Sequence, residues 1–370
     1  MHNKFNENAV LFFKAVLSGL LSSELSYRAD EMDYPRKFNR VVIGDSTKFS
    51  IPNNMSSDYP SYGGNVKVKA LMNIQHSYDI LNKKLLDVTI DKATNNDQSY
   101  VTRIIETVQA KDLLIYDLGY VTTLFLNQII KKDAYFLNRL PSQWNVYEAQ
   151  SAKKVDWGLL YKDMKLKKST TLEMQVHLTK QKIESRMIFN LVSKEVYEKR
   201  INLATKRAKS YGNNVSKEYK MRARFDVYIT NAKSQDIKKE DVKSIYRLRW
   251  QIELIFKVWK SVLKIDMSKK VNKYRFECQL IAKLIWVILT YDIHQAMNNI
   301  DRKNGGNGHS SMFKVYKYLR SINHHIRSMV FNNECQVQWL KKFLVPFIKS
   351  FEIEIRQRKS PHYQTLNLLS

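Results

Sequence analysis

Drawn as a helix, the segment YRLRWQIELIFKVWKS, residues 246 to 261, is apolar around most of its circumference, and this restricts its possible surroundings. Trp250, Ile252, Leu254, Ile255, Phe256, Val258 and Trp259 leave only a narrow polar stripe. Such a helix is mostly buried, with its stripe turned to a cleft or a partner rather than to open water. At about 100° per residue the stripe carries Tyr246, Arg249, Glu253 and Lys260 on one face. One carboxylate able to hold a metal, beside three donors able to hold phosphate oxygens, suits nuclease-like chemistry on DNA. The plainer reading is a helix whose Glu253 pairs with Lys257 four residues on. The breadth of the apolar surface weakens that reading.

Charge points the same way. Lysine and arginine number 62 against 35 aspartates and glutamates, a net charge of +27. A compact body with that excess implies a polyanionic partner, most commonly nucleic acid. With 44% hydrophobic residues in 370, the chain can bury one large core or two to three smaller ones. Cys278 and Cys335 are far apart and lack metal-ligand spacing, so neither a disulfide framework nor a zinc site is indicated. The longest apolar run, LIAKLIWVILTYDI, contains Lys283 and Asp292 and is too short to span a bilayer. AVLFFKAVLSGLL is interrupted by Lys14, and no small-x-small cleavage site follows it. The expected location is the cytoplasm, in association with the nucleoid, with no membrane partner.

The order of patterns predicts a mixed α/β sheet flanked by helices. Residues 9 to 26 read as an amphipathic helix, and VVIGDSTKFSIP as a strand whose apolar run ends in a carboxylate and two hydroxyls. NVKVKALMNIQHSYDI and KKLLDVTID read as two further antiparallel strands, with YGG and TNND as turns. SYVTRIIETVQA (helix), LLIYDLGY (strand), VTTLFLNQIIKKD (helix) and YFLNRL (strand) follow. From 142 to 224 the chain is strand-rich and basic, with 19 Lys and Arg against 7 Asp and Glu between 151 and 224. RFDVYITN returns to strand, and a helix capped by Asp236 or Ser234 is expected to run through the opening segment to about Leu263. DRKNGGNGHS reads as a linker before a basic helical tail. The expected division is 1–35 (short helical region), 36–141 (first part of the core), 142–224 (basic β-rich insertion), 225–300 (second part of the core) and 311–370 (helical end).

Two carboxylates stand out from the other acids. Asp45 follows VVIG and Asp117 follows LLIY, so each is expected at a strand end beside the core, where a carboxylate needs hydrogen bonds or a cation. The alternative for each is a turn-forming aspartate, helped by Ser46 and Thr47 or by Gly119. Three carboxylates converging on one cleft could hold two Mg²⁺ ions about 4 Å apart, the arrangement that activates water and stabilises a leaving oxygen at phosphorus.

These residues resemble the DDE transposases of bacterial insertion sequences, specifically the insertion sequence 4 family. Its signature, Y-x2-R-x3-E-x6-K, is matched by Tyr246, Arg249, Glu253 and Lys260 without a gap. DST at 45 to 47 resembles the first-aspartate motif and DLGY at 117 to 120 the second. YFLNRL, YITN and FECQLIAKLIW are similar to the segments that accompany them. The resemblance covers about residues 36 to 295 and implies an RNase H-like fold interrupted by a β-rich insertion subdomain. It also implies a metal-binding and catalytic triad of Asp45, Asp117 and Glu253 holding two Mg²⁺ ions, which Mn²⁺ could replace. Tyr246, Arg249 and Lys260 would grip phosphates, and Lys257 and Arg139 join them as expected DNA contacts. Trp144 and Trp157 are the insertion aromatics that could stack on a flipped base, against the alternative of core packing. The implied partners are double-stranded DNA, as element ends and target, and a second protomer in a synaptic homodimer.

The resemblance departs from the family in one respect. Relatives carry a longer region before the first aspartate, whereas 44 residues precede Asp45 here, so end recognition is expected elsewhere or the copy is shortened. The expected function is therefore an insertion-sequence transposase. A DNA-binding relic without cleavage and a structure-specific nuclease on the same fold are the alternatives. His324 and His325 are expected to point apart at the surface, and KKEDVK to form a solvated first turn.

Overall fold

The computed structural model describes residues 4–22, 37–62, 68–179, 182–306, 308–331 and 335–352, with 365, 366, 368 and 369. The elements in chain order begin with helix α1 (Glu7–Ser22), strands β1 (Arg40–Ser50), β2 (Leu71–Asp79) and β3 (Lys84–Lys92), and helix α2 (Val101–Thr107). They continue with β4 (Asp112–Tyr116), α3 (Thr123–Lys131), β5 (Tyr135–Arg139), β6 (Val146–Glu148), α4 (Trp157–Leu166), β7 (Thr171–Leu178) and β8 (Ile183–Leu191). Next come α5 (Lys194–Ser210), α6 (Lys217–Arg222), β9 (Phe225–Thr230), α7 (Val242–Arg247) and α8 (Trp250–Ser261). The last are α9 (Lys273–Lys303), α10 (Met312–Ser321), α11 (Asn323–Phe331) and α12 (Gln336–Phe343). The architecture is mixed α/β, as the alternating periods predicted. Residues 23–36 and 63–67, which include the end of the first expected helix and most of the YGG turn, lie outside the described residues.

The chain forms two compact units. Unit 1 comprises 1–34, 44–95 and 250–361, and unit 2 comprises 35–43, 96–249 and 362–370. In unit 1 the strand order is β3-β2-β1, and β2 pairs antiparallel with β3 from Met72↔Lys92 to Asp79↔Lys84, with a bulge at Ser77/Tyr78. Asp79 closes the hairpin by accepting from the backbone N–H groups of Leu81 (3.0 Å) and Asn82 (3.2 Å), an aspartate turn that needs no glycine. β2 buries both of its faces, and its His76 ring lies 5.0 Å from Trp259 and 6.2 Å from Phe256 on α8. α8 is thus packed on the strand by the apolar surface that the sequence displays. The expected core run lies within the 31-residue α9, whose Asn272 caps it by accepting from Arg275 N. The end of α9 joins α10 to α12 around Val315, Leu319, Trp339 and Leu344. The paired histidines do not point apart. Their ring centroids are 3.9 Å from each other, and His325 stacks on Phe343 at 4.4 Å because Trp339 Nε1 donates to the His325 carbonyl and holds that turn.

In unit 2 the strand order is β4-β5-β9-β8-β7-β6. β4 and β5 are parallel and joined by α3, the crossover that a parallel pair requires; the β5-β9, β9-β8, β8-β7 and β7-β6 pairs are antiparallel. α3 starts at Thr122, whose hydroxyl accepts from Phe125 N, and buries Phe125, Leu126 and Ile129. β9 is buried along its whole length, as expected for a central strand. At its end the Asn231 side chain accepts from Phe136 N at 2.8 Å and donates to Ala134 O at 2.9 Å, extending the ladder where the backbone turns away. The segment 142–224 contributes β6, β7 and β8 to this order, along with α4, α5 and α6.

Candidate active site

Asp117 lies where the sequence places it, immediately after β4. A turn follows, in which Tyr120 N donates to the Asp117 carbonyl at 3.1 Å. At Gly119 the backbone approaches Asp97 so closely that an added Cβ would lie 2.6 Å from its Oδ2. Buried Asn138 donates to the Tyr116 carbonyl at 2.9 Å and fixes the strand end that carries the carboxylate. The Asp117 side chain is 47% exposed, and Arg249 Nε is 3.8 Å from its Oδ1. Arg249 also meets the Tyr246 hydroxyl. The Tyr246 ring packs on Tyr228 with centroids 5.2 Å apart. Burial above all, with the Asp117 charge next, pushes the Tyr246 hydroxyl above its usual pKa, so it stays protonated and able to donate. Asp117, Arg249 and Tyr246 therefore form one polar group within unit 2.

Asp45 differs from expectation. β1 continues to Ser50, so Asp45 sits in mid-strand, half-buried, and not at a strand end. Its carboxylate accepts from Ser46 N at 2.8 Å. The sequence DST looks like a turn, but strand neighbours keep the backbone extended. Glu253 occupies the first turn of α8 and is exposed, where a carboxylate favours the positive end of the helix dipole.

The long helix expected from 236 to 263 is in fact two. Neither Asp236 nor Ser234 caps it; α7 starts after Asp241 and ends at Arg247, and α8 begins at Trp250. Between them Leu248 N bonds Ile245 O and Arg249 N bonds Tyr246 O, i to i−3 contacts that tighten the turn. Tyr246, Arg249, Glu253 and Lys260 thus do not share one helix. The first two belong to unit 2 and the last two to unit 1.

Lys260 Nζ donates to the Lys48 carbonyl of β1 at 3.2 Å and lies 5.8 Å from the Phe49 ring centroid, tying α8 to the strand of Asp45. Burial lowers its pKa. The chain that leaves this same C-terminal end of α8 is also held, since Arg320 donates to the carbonyl of Val262, the first residue after the helix, and Lys283 Nζ donates to the carbonyls of Lys264 and Met267 in the turn beyond at 2.7 Å each. Cations at a helix C-terminus satisfy orphan carbonyls and oppose the dipole. Lys257 is exposed.

Arg139 is engaged in a cluster that sequence reasoning missed. The Asp226 carboxylate on β9, 9% exposed, receives Arg139 Nη2 at 2.8 Å, Arg200 Nη2 at 2.5 Å and Lys243 Nζ at 3.0 Å. Burial raises the Asp226 pKa, but the hydrogen bonds from Arg200 and Lys243 and the charges of Arg200 and Arg139 outweigh it, holding the group below the usual carboxylate value. The available signal was a carboxylate inside the apolar strand RFDVYITN. Lys243, expected in a solvated first turn, is part of this cluster. Trp157 is a core residue ringed by Phe189 and Phe225 at 5.8 and 6.2 Å, whereas Trp144 is half-buried.

Among the described residues no three His, Cys, Asp or Glu side chains group closely enough to hold a metal ion. As a donor set, the carboxylates of Asp45, Asp117 and Glu253 are hard oxygen ligands of the kind Mg²⁺ and Mn²⁺ take. No helix among the described residues is long and apolar enough to cross a membrane.

Residues 36–289 match the family model described as Transposase DDE domain. The chain is 31% identical over 307 residues to the transposase for insertion sequence element IS231F of Bacillus thuringiensis subsp. israelensis, covering 78% of this chain and 64% of that protein. It is 28% identical over 382 residues to the transposase for insertion sequence element IS231B of Bacillus thuringiensis subsp. berliner, covering 98% and 78%. To the transposase for insertion sequence element IS1151 of Clostridium perfringens it is 27% identical over 390 residues, covering 100% and 81%. The chain thus spans just under two thirds of the length of the first of these relatives.

Proposed function

The chain belongs to the family of transposases with a DDE domain, and from that premise we propose that it is the transposase of an insertion sequence, cleaving DNA at the element ends and joining them to target DNA. The observation that carries the reading is the family match across 36–289, the span that contains Asp45, Asp117 and Glu253. The fold we propose for this span is RNase H-like, with 142–224 as its insertion. Membership of the insertion sequence 4 group is part of the same proposal, supported by the Tyr246, Arg249, Glu253 and Lys260 spacing.

Asp45, Asp117 and Glu253 would hold divalent cations, Mg²⁺ with Mn²⁺ as a substitute, which when bound would supply Lewis-acid activation of water and of the leaving oxygen. The protein's own groups bind and orient. The protonated Tyr246 hydroxyl can donate to a phosphate oxygen, and Arg249 holds the Asp117 carboxylate in place while presenting further N–H donors. Lys260 and the exposed Lys257 supply positive charge beside Glu253. Arg139 joins a DNA-facing surface with a surplus of charge, three cations against the single carboxylate of Asp226. Two protomers would pair the two ends of an element in the cytoplasm, where the DNA is.

The test uses the full chain and duplex DNA carrying the inverted repeats that flank its gene, with Mg²⁺ added or chelated. Metal-dependent nicking and strand transfer are expected, and both should vanish in Asp45→Asn, Asp117→Asn and Glu253→Gln while DNA binding persists. Equal cleavage by wild type and Glu253→Gln would refute the reading. Binding without cleavage by the wild type would identify a relic, and cutting of branched DNA without end preference a junction nuclease.

A further inference from the structure

The end of α9 carries a cluster that the proposed chemistry does not use. Lys83, at the tip of the β2–β3 hairpin, has a left-handed backbone (φ 53°). Its carbonyl accepts from the Tyr291 hydroxyl at 2.7 Å, which fastens the tip to α9. Three, seven and eleven residues after Tyr291, on the same face of the helix, come His294, Asn298 and Arg302. The connection to α10 folds back over this face. Gly308 N donates to Asp301 Oδ2 at 2.8 Å, and Ser310 Oγ donates to Asn298 Oδ1 at 2.6 Å. His294 Nε2 lies 2.8 Å from the same Ser310 Oγ. At Gly308 (φ 63°) a Cβ would lie 2.1 Å from Arg302 Cγ, so only glycine lets the connection close over the arginine stem.

Two atoms in this cluster lack what burial demands. His294 is 4% exposed, yet its Nδ1 has no hydrogen-bond partner among the described residues, and the same holds for Arg302 Nε. The charges are also poorly offset. Burial first, then Lys83, lowers the His294 pKa to about 4; burial, then Lys83 and Arg302, lowers that of His309; and burial, then Arg302, lowers that of Lys83 to about 8. The Asp301 carboxylate acts on His309 in the opposite sense, and it also caps the Gly308 turn. These groups repel one another, and an anion among them would remove the repulsion.

We propose that Lys83, Arg302 and His309 form a binding site for a phosphate-like tetrahedral oxyanion on the face of α9, with His294 beneath it. Donors arriving from a hairpin tip, a helix face and a connecting segment suit an anion with acceptors on several sides better than a planar carboxylate. Bound anion gives Arg302 Nε an acceptor, and by favouring protonation of His294 it makes Nδ1 a donor towards the anion while Nε2 keeps Ser310. Free inorganic phosphate and a phosphodiester of the DNA backbone share this chemistry. The inference does not rest on the transposase reading, and its failure would leave that reading intact.

The experiment titrates inorganic phosphate into the full chain by calorimetry and thermal melting, against chloride at matched ionic strength. Phosphate should bind and raise the melting temperature of the wild type. Lys83→Met and His309→Gln, each first shown to melt normally without phosphate, should weaken phosphate binding about tenfold, the loss of one charge-assisted partner. Lys83→Arg should retain it. A second arm measures binding of a short duplex. If phosphate competes with the duplex in the wild type but not in Lys83→Met, the site takes a backbone phosphate; if duplex binding is the same in both, it takes the free ion. Phosphate without effect beyond chloride, or with equal effect on wild type and both neutral variants, overturns the proposal.

Discussion

Replacing Asp226 by asparagine removes the one negative charge among Arg139, Arg200 and Lys243 while keeping its shape. Each charge-assisted hydrogen bond contributes about 1.5–3 kcal/mol, and removing one partner of a buried ion pair costs about 3–5 kcal/mol. The side chains of Arg139 and Lys243 are 40% and 36% exposed, so solvent screens their share; Arg200, 28% exposed, supplies the larger part. The expected cost of Asp226→Asn at pH 7 is therefore about 2–4 kcal/mol. Its sign with pH follows from the pKa. The folded carboxyl lies below its unfolded value, so its contribution is complete above about pH 4 and disappears as pH falls through the folded value. The penalty of the variant should shrink over that same acid range, because the wild type then loses its charge as well. Urea unfolding at pH 7 and pH 3 measures the difference, and hydrogen exchange on peptides from 225–247 shows whether the loss falls on β9 and on α7, the helix of Tyr246. A cost below about 0.5 kcal/mol at pH 7, or one unchanged at pH 3, would refute the ionic account of this cluster.

His76 and His294 are buried and held near pKa 4, so the folded state keeps them neutral while the unfolded chain protonates near pH 6.5. Stability should fall as pH drops from about 6.5 to about 4, by about 3 kcal/mol per histidine at most, and His76→Phe should flatten that part of a urea-midpoint profile. Lys283→Met leaves the Lys264 and Met267 carbonyls after α8 without their ammonium donor and should lower unit 1 stability by about 1–3 kcal/mol, read as faster hydrogen exchange in 262–268. Lys260→Met distinguishes two roles for its ammonium. If it also meets a phosphate, the log–log salt slope of DNA binding should fall by about one, whereas an unchanged slope would confine it to holding the Lys48 carbonyl.

The local sequence determined the elements whose periods are unambiguous. Alternation in LMNIQHSYD and KLLDVTID specifies a hairpin, and Asp79 supplies its turn. LLIY followed by Asp117, with Gly119 two residues on, specifies a buried strand that stops just before that aspartate, and the apolar surface from Trp250 to Trp259 specifies a buried helix. The mixed α/β class follows from those patterns because helix, strand and turn preferences act over a few neighbouring residues, whereas the family was legible only through the resemblance of the Tyr246, Arg249, Glu253 and Lys260 spacing to a known signature.

Tertiary structure decided what depends on distant partners. Strand neighbours carry β1 past a DST that reads locally as a turn, so Asp45 lies in mid-strand. The expected helix is divided into α7 and α8 by a tight turn in which Leu248 N bonds Ile245 O and Arg249 N bonds Tyr246 O. Arg139 meets Asp226 across 87 residues of chain and Lys260 meets the Lys48 carbonyl across 212, separations over which no local pattern specifies a contact. The same holds for His76 and His294, whose neutrality is set by desolvation, a property of everything packed around a side chain rather than of its neighbours in sequence.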